Sequence, residues 1–218
     1  MDNKNFIAKR VAMMLSDGDV VNLGIGVPQL VANHIPEGIT VIIHAENGII
    51  GAAGRAPEGE GTDNVVDAGG IQITTAPGAQ FISSTDSFGA IRGGHINATV
   101  LGAMQVDERG NLANWCIPGK RMGGIGGAMD LVAGAKKVVI AMEHTAKGNP
   151  KILKECTFPL TGANVVDVIV TEMGVMEVRP EGLVLTEIAP GYTVEQVRAA
   201  TDAALVVYDD LKVMDIGE

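Results

Sequence analysis

The spacing of hydrophobic positions changes repeatedly along this chain, and the changes predict helices alternating with short strands. Apolar residues at helical spacing predict a first helix over residues 5–16, which Asp17-Gly18 ends. The apolar run at residues 20–23 predicts a strand, and Pro28 begins a predicted helix that reaches about residue 34. A second apolar run, at residues 40–44, predicts the next strand. This order is that of a βαβ unit, whose strands lie parallel and side by side.

The remaining pattern extends the same organisation. A stretch rich in Gly, Asp and Glu over residues 51–70 is interpreted as a long surface loop. The other predicted elements are hairpins at 71–83 (around Pro77-Gly78), 104–117 and 174–188, strands at 96–101, 137–142 and 165–171, and helices at 84–91, 128–133 and 193–204. We therefore expect an α/β fold, with an open, mostly parallel sheet, flanking helices and added β-hairpins. The 218 residues are expected to form a single domain.

Composition limits the classes of partner. The net charge of −10 argues against nucleic acid and against an anionic membrane, and an anionic substrate would need a local basic patch. Aromatic residues make up only 3% of the chain, so aliphatic residues must form the core. The two cysteines and four histidines show no metal-ligand spacing, and no metal site is expected; His44 is interpreted as a core residue. The N-terminus shows no apolar targeting segment, and a cytoplasmic location is expected.

Glu46 is the first candidate for chemistry, because Glu46-Asn47-Gly48 follows directly after a predicted strand. The loop Gly24-Ile25-Gly26 follows the neighbouring strand, and carboxyl ends of parallel strands lie at one edge of a sheet, where α/β proteins bind ligands. We interpret Glu46 as a nucleophile toward an activated acyl or glycosyl donor, since a carboxylate is otherwise weakly nucleophilic. Asn47 is expected to hold or polarise that carboxylate. The alternative is a solvated surface glutamate.

A glycine block at residues 123–127 precedes the predicted helix at 128–133. One interpretation is close packing of helix and strand. The other is a set of backbone N–H groups that stabilise an oxyanion or bind phosphate. Four glycines in five residues favour the second interpretation, and Lys120 and Arg121 just upstream would supply a positive edge.

Several separated blocks resemble one family. The string from His44 to Gly51, HAENGIIG, resembles the active-site signature of the B (β) subunit of family I CoA-transferases, which reads Gln or His, Ser, Glu, Asn, Gly and two aliphatic residues. Three further blocks resemble the same family in the same order: IRGGH at 91–95, GGIGGAMDLVAGAKKVVIAMEHTAKG at 123–148 and CTFPLTG at 156–162. The resemblance extends from about residue 9 to residue 187, nearly the whole chain.

This resemblance implies a Rossmann-like sheet and a reversible transfer of CoA between a 3-oxoacid such as acetoacetate and a short-chain carboxylate such as butyrate or acetate. It implies that Glu46 forms an acyl–glutamyl anhydride and then a covalent glutamyl-CoA thioester. It places an oxyanion donor at the backbone N–H of Gly126 or Gly127. CoA is then a substrate, with no permanently bound cofactor, and an A (α) subunit completes the active site at an A/B interface.

One position departs from the family pattern, and two other functions stay open. The residue before the glutamate is Ala45 where the family has Ser, which bears on the choice of acid and leaves the nucleophile in place. One alternative is a sugar-phosphate-isomerase-like enzyme that uses Glu46 as a base. The other is a non-catalytic module that senses CoA or phosphate through the glycine loops.

Overall fold

The computed structural model describes residues 1–120 and 124–217. The helices are α1 Asn3–Ala12, α2 Val27–Leu30 (followed by a 3₁₀ turn, Val31–His34), α3 Ser84–Arg92, α4 Ala128–Gly134 and α5 Val194–Ala199. The strands are β1 Val20–Leu23, β2 Ile42–Ala45, β3 Ile49–Arg55, β4 Ile73–Phe81, β5 Ala98–Leu101, β6 Gln105–Asp107, β7 Leu112–Ala113, β8 Val138–Ala141, β9 Thr145–Ala146, β10 Asn149–Pro150, β11 Ile152–Leu153, β12 Val168–Val170, β13 Gly174–Arg179, β14 Gly182–Ile188 and β15 Leu205–Val213. No helix within these ranges is long and apolar enough to cross a membrane.

A ten-stranded sheet is the centre of the fold, in the order β15-β14-β13-β12-β8-β5-β1-β2-β3-β4. The five middle strands, β12, β8, β5, β1 and β2, are all parallel. Antiparallel hairpins extend the sheet on both sides, and β15 then pairs parallel with β14. Two small sheets accompany it, one of β9 with β10 and one of β11, β6 and β7. The expected fold class is confirmed.

The middle strands are parallel because both of their faces are covered. Side chains of β8 alternate between two cores: Val138 and Ile140 belong to one, Val139 and Ala141 to the other. Helices α3, α4 and α5 contribute to the first core, and α1 contributes to the second. Strands buried on both faces need continuous apolar sequence, and the four residues of β5 and of β8 are all buried. This is why these strands were recognisable in the sequence.

The predicted loop at 51–70 and the predicted hairpin around Pro77-Gly78 are both wrong in part. Residues 49–55 form strand β3, and the loop begins after it. Residues 73–81 form one strand, β4, which pairs with β3 on both sides of two irregularities in register. The turn signal at Pro77-Gly78 lies in a bulge, where residues 76–79 face only Gly51 between the pairs Thr75–Ala52 and Gln80–Ile50. Proline is tolerated here because β4 is the edge of the sheet.

The opposite edge is β15, which the sequence pattern did not predict. Residues 208–210, 212 and 213 of this strand are exposed, including the large side chains of Tyr208 and Val213. Among the described strands, β15 pairs with β14 alone, with an irregularity in register after Leu185. The two end strands of the ten-stranded sheet thus have no further strand beside them, apart from residues 65–66, which pair with the beginning of β4 through the Ile73 N–H to the Val65 carbonyl.

His144, which follows β8, is hydrogen-bonded to residues at the ends of β12 and α5. The imidazole is fully buried and lies 2.9 Å from the hydroxyl of Thr171, after β12, and 2.9 Å from the hydroxyl of Thr201, after α5. Burial lowers the pKa of His144 to about 4, and the nearby Lys151 charge contributes in the same direction. The ring is therefore neutral over the physiological range.

Candidate active site

Glu46 begins the tight turn between β2 and β3. Residues 46–48 form this turn, which is closed by the Gly48 N–H donating to the Ala45 carbonyl at 2.9 Å. Gly48 has φ of +124°, and a Cβ there would collide with the carbonyl of Ile82, so only glycine fits. Strand β1 lies beside β2 with Asn22 opposite His44. The predicted meeting of the Gly24–Gly26 loop with Glu46 is confirmed, since both line one pocket.

The carboxylate of Glu46 is held by Asn22, which sequence reasoning did not select. The Asn22 Nδ2 donates to Glu46 Oε2 at 2.9 Å and to the His44 carbonyl at 3.1 Å. Asn22 is fully buried, and its Oδ1 accepts no hydrogen bond from the described part of the protein. An unpaired buried acceptor costs about 1–3 kcal/mol. The available signal was a polar residue inside the apolar strand VVNL.

The main chain of Glu46 is held from the other side by Ser87 of α3. Ser87 Oγ lies 2.8 Å from the Glu46 carbonyl and 2.8 Å from His44 Nε2. A carbonyl only accepts, so the hydroxyl proton points to Glu46, and His44 must donate Nε2–H to Ser87. Burial lowers the pKa of His44, and the Glu46 charge partly opposes that effect, which agrees with a neutral ring. The interpretation of His44 as a buried residue is confirmed.

The glycine block reaches the same turn. Gly127 precedes α4 and packs so closely that a Cβ there would lie 3.2 Å from Glu46 Cγ and 3.1 Å from the ring of Phe88. Gly126 is exposed, with φ of +55°. Neither N–H donates to another group within residues 1–120 and 124–217. Lys120 is exposed upstream of the block, whereas Arg121 and Gly123 lie outside the described residues.

Three other predicted site residues, Gly24, Gly26 and Asn47, already donate hydrogen bonds to other groups of the protein. The Gly24 N–H donates to the Val100 carbonyl at 2.8 Å, and the Gly26 N–H donates to Gln29 Oε1 at 3.1 Å. The Asn47 amide donates to the Val66 carbonyl at 2.8 Å, so the amide on the Glu46 carboxylate is that of Asn22. A role of these residues in binding substrate stays a prediction.

A pocket of about 240 Å³ opens beside Glu46. Apolar side chains of three strands line it, namely Ile43, Ala45, Ala52 and Ile73, with Leu30 from α2. Polar groups at its rim include Gln29, Arg55 and Asp67. A half-buried carboxylate at the mouth of an apolar pocket, beside backbone donors, is suited to attack an acyl group from which water is excluded.

The comparison with known families favours one of the open interpretations. A family model described as coenzyme A transferase matches residues 4–200. The chain belongs to the coenzyme A transferase family. The resemblance of the sequence blocks is thereby confirmed, and the chain is an enzyme of the CoA-transferase class, of the β-subunit type.

Individual relatives of this coenzyme A transferase chain agree over almost its full length. It is 51% identical over 212 residues to the beta subunit of the acetate CoA-transferase of Escherichia coli strain K12, covering 97% of each chain. It is 46% identical to the B (β) subunit of the succinyl-CoA:3-ketoacid coenzyme A transferase of Helicobacter pylori, covering 92% of this chain and 97% of that one. Among solved structures, the apoenzyme of the acyl-CoA transferase YdiF from Escherichia coli O157:H7 superposes with a TM-score of 0.79 at 25% identity. That superposition covers 99% of this chain and 44% of the other.

Proposed function

We propose that this β subunit transfers CoA reversibly between a 3-oxoacid such as acetoacetate and a short-chain carboxylate, through a covalent glutamyl-CoA thioester on Glu46. The observation that carries the proposal is the Glu46 carboxylate, held at 2.9 Å by Asn22 at the mouth of an apolar pocket. CoA acts as a substrate. The names of the relatives, which include acetate and 3-ketoacid enzymes, support this substrate class.

The chemistry has two steps in each half-reaction. One oxygen of Glu46 attacks the thioester carbonyl, the C–S bond breaks, and CoA thiolate leaves behind an acyl–glutamyl anhydride. The thiolate then attacks the glutamyl carbonyl carbon, the acyl carboxylate departs, and a glutamyl-CoA thioester forms. An acceptor acid reverses both steps. Exchange of one thioester for another is nearly isoenergetic, so no ATP is consumed.

Each step passes through a tetrahedral oxyanion that needs a donor. With Oε1 as the attacking oxygen, Oε2 becomes the glutamyl carbonyl oxygen that carries charge when thiolate attacks, and Asn22 Nδ2 already lies 2.9 Å from it. Gly127 packs against Glu46 Cγ, and its N–H is the second candidate, as the family resemblance implies for Gly126 or Gly127. Loss of one such donor typically costs about 100- to 1,000-fold in kcat.

Ala45 bears on the choice of acid. Its side chain belongs to a small apolar cluster with Ile49, Ala52 and Ile73, and it lines the pocket. The family serine would place a hydroxyl at this point. An apolar wall favours the alkyl chain of acetate or butyrate over a second carboxylate, because burying an unpaired charge is costly.

The decisive experiment is trapping of the covalent intermediate. The β subunit is co-expressed with its α subunit, incubated with acetoacetyl-CoA and examined by intact mass and peptide mapping, with and without hydroxylamine. We expect a CoA adduct on the Glu46 peptide, converted by hydroxylamine to a hydroxamate. Glu46→Gln should show no adduct and no turnover, and Glu46→Asp should lose about 100-fold because the carboxylate is withdrawn by about 1 Å.

The control for this experiment is Glu60→Gln, which changes an exposed glutamate in the loop after β3. Normal turnover is expected in that variant. Turnover by Glu46→Gln would exclude the nucleophile assignment. Proton exchange on a sugar phosphate that depends on Glu46 would instead support the isomerase-like alternative, and CoA binding without any turnover would support the sensing module.

We also propose that the α subunit covers this site. Three large apolar residues are exposed around Glu46: Ile25 at 70%, Phe81 at 63% and Met129 at 51%. Ile25 lies in the Gly24–Gly26 loop, Phe81 is paired with Ile49 just after the turn, and Met129 is in the first turn of α4. Exposed apolar residues grouped around a site are typical of a binding surface.

Replacement of Phe81 by Asp tests this interface. Co-purification with the α subunit should weaken strongly, whereas Tyr208→Asp, on the opposite edge of the sheet, should leave it intact. Equal co-purification of both variants would refute the location. A cytoplasmic site of action belongs to the same proposal, and the unpaired state of Cys116 and Cys156 supports it.

A further inference from the structure

We propose that Ser87 and His44 act together as positioning residues for Glu46, fixing the main chain behind the carboxylate so that the side chain stays against Asn22. This inference rests on the proposed function of Glu46. Ser87 is fully buried and does not line the pocket, and His44 borders the pocket with only 1% of its surface exposed, so neither is placed as a donor to substrate.

The first step of the argument is the direction of the hydrogen bonds. The Glu46 carbonyl accepts from the Ser87 hydroxyl at 2.8 Å, which uses the only proton of that hydroxyl. Ser87 Oγ must then accept from His44 Nε2–H, at 2.8 Å. The chain of donors therefore runs from His44 through Ser87 to Glu46 and has one possible direction.

The second step is that His44 contacts both groups that hold Glu46. Its Nε2 supports Ser87, and its own carbonyl accepts from Asn22 Nδ2 at 3.1 Å. With the proton on Nε2, Nδ1 carries a lone pair and lies 3.5 Å from the same Asn22 amide nitrogen. Of the two N–H groups of the Asn22 amide, one donates to the His44 carbonyl and the other to Glu46 Oε2, so His44 helps to orient the amide toward the carboxylate.

The third step is geometric. Glu46 lies in a turn that is fixed at Gly48, whose N–H donates to Ala45 and whose carbonyl accepts from Ile82. The Ser87 bond fixes the carbonyl of Glu46 itself, and the orientation of that peptide sets the direction of the side chain. A nucleophile that is misplaced by about 1 Å loses on the order of 100-fold in rate. The pair therefore acts on catalysis through placement.

The test compares four single-residue variants of the α/β complex. The kcat and KM for acetoacetyl-CoA and the melting temperature are measured for each. Ser87→Ala and His44→Leu each break the donor chain and should lower kcat by about 10- to 100-fold, with KM nearly unchanged. His44→Gln retains an N–H donor to Ser87 and should recover most of the loss. Ser84→Ala makes the same change at an exposed position of the same helix and serves as the control.

Two results would overturn the inference in a folded complex: kcat of Ser87→Ala equal to that of Ser84→Ala, or His44→Gln as impaired as His44→Leu. If His44→Leu does not fold, the kcat values of Ser87→Ala and His44→Gln still test the inference, because only Ser87→Ala is expected to be strongly impaired. The proposed function itself would fail if the wild-type complex transferred no CoA or if Glu46→Gln retained turnover. Neither result depends on the Ser87 and His44 variants, so the two failures can be told apart. A combined Ser87→Ala/His44→Leu variant should be no slower than either single variant, because the two residues act as one unit.

Discussion

Replacement of Asn22 by Ala separates the chemistry of the site from its stability. The substitution removes the N–H that donates to Glu46 Oε2 at 2.9 Å. A hydrogen bond to a charged group contributes about 1.5–3 kcal/mol, and the same donor faces the oxygen that becomes charged during thioester formation. If about 3 kcal/mol is lost in the transition state, kcat falls by about 100-fold, the lower end of the range for loss of an oxyanion donor.

The stability of the same variant should change little. The wild-type chain keeps Asn22 Oδ1 buried without a partner among the described residues, and alanine removes this unfavourable group. It also leaves the His44 carbonyl without its Asn22 donor. These two terms are of similar size, about 1–3 kcal/mol, and of opposite sign. The Glu46 carboxylate is only half-buried and can be solvated by water in place of the lost amide, so the net change in unfolding free energy is expected to be about 1 kcal/mol.

The assay is steady-state transfer from acetoacetyl-CoA, combined with denaturant unfolding of the same preparations. The matched variant is Asn47→Ala, because the Asn47 amide donates to the Val66 carbonyl, whereas the hydrogen bond to the carboxylate comes from Asn22. Asn22→Ala must lose more activity than Asn47→Ala. Equal losses, or a normal kcat in Asn22→Ala, would refute the assignment of the donor, and a large loss of stability would show that the effect is structural.

Two glycines and one buried histidine give three further predictions. Gly48→Ala should lower the melting temperature more than Gly59→Ala, since both have positive φ and only the Gly48 Cβ would collide, with the Ile82 carbonyl; equal losses would exclude the steric cause. Gly127→Ala, at an ordinary φ of −83°, should lower kcat with little loss of stability, because its Cβ would press on the candidate nucleophile; unchanged kcat would count against this crowding. His144 has a folded pKa of about 4, below its usual 6.5, so the unfolded chain binds the proton first and unfolding free energy is lost as pH falls from 6.5 toward 4, by about 3 kcal/mol at most. His144→Gln should flatten this part of the pH–stability curve, and an unchanged curve would contradict the assignment.

The sequence pattern predicted the middle of the fold and missed its edges, for a physical reason. Strands β5 and β8 are buried on both faces and therefore read as continuous apolar runs. Strands β3, β4 and β15 are partly exposed, and glycines and bulges interrupt the alternation in β3 and β4. The turn residues Pro77-Gly78 do mark an irregularity in the backbone, but it is a bulge within strand β4, and the chain does not reverse direction there as a hairpin would.

The same limit applies to the site. Glu46 and the glycine block are adjacent to elements that the pattern predicts, so their approach to a common edge was predictable. Asn22 is a single polar residue in an apolar strand, whereas Ser87 follows three other polar residues in α3, and nothing local distinguishes either from a tolerated polar residue. Their role depends on pairings between β1 and β2 and between α3 and the turn, which only tertiary structure supplies.

The two edges of the ten-stranded sheet have a consequence for self-association. An exposed edge strand is a template for another strand, and chains that stack edge to edge aggregate. Strand β4 carries Pro77, which lacks an N–H, inside a bulge that bends the edge. Strand β15 carries Asp209, Asp210 and Lys212, and these charges would lose water if a strand of another molecule paired beside them. Growth of the sheet by recruitment of further copies is thus blocked at both ends, by a missing donor at one end and by charge at the other.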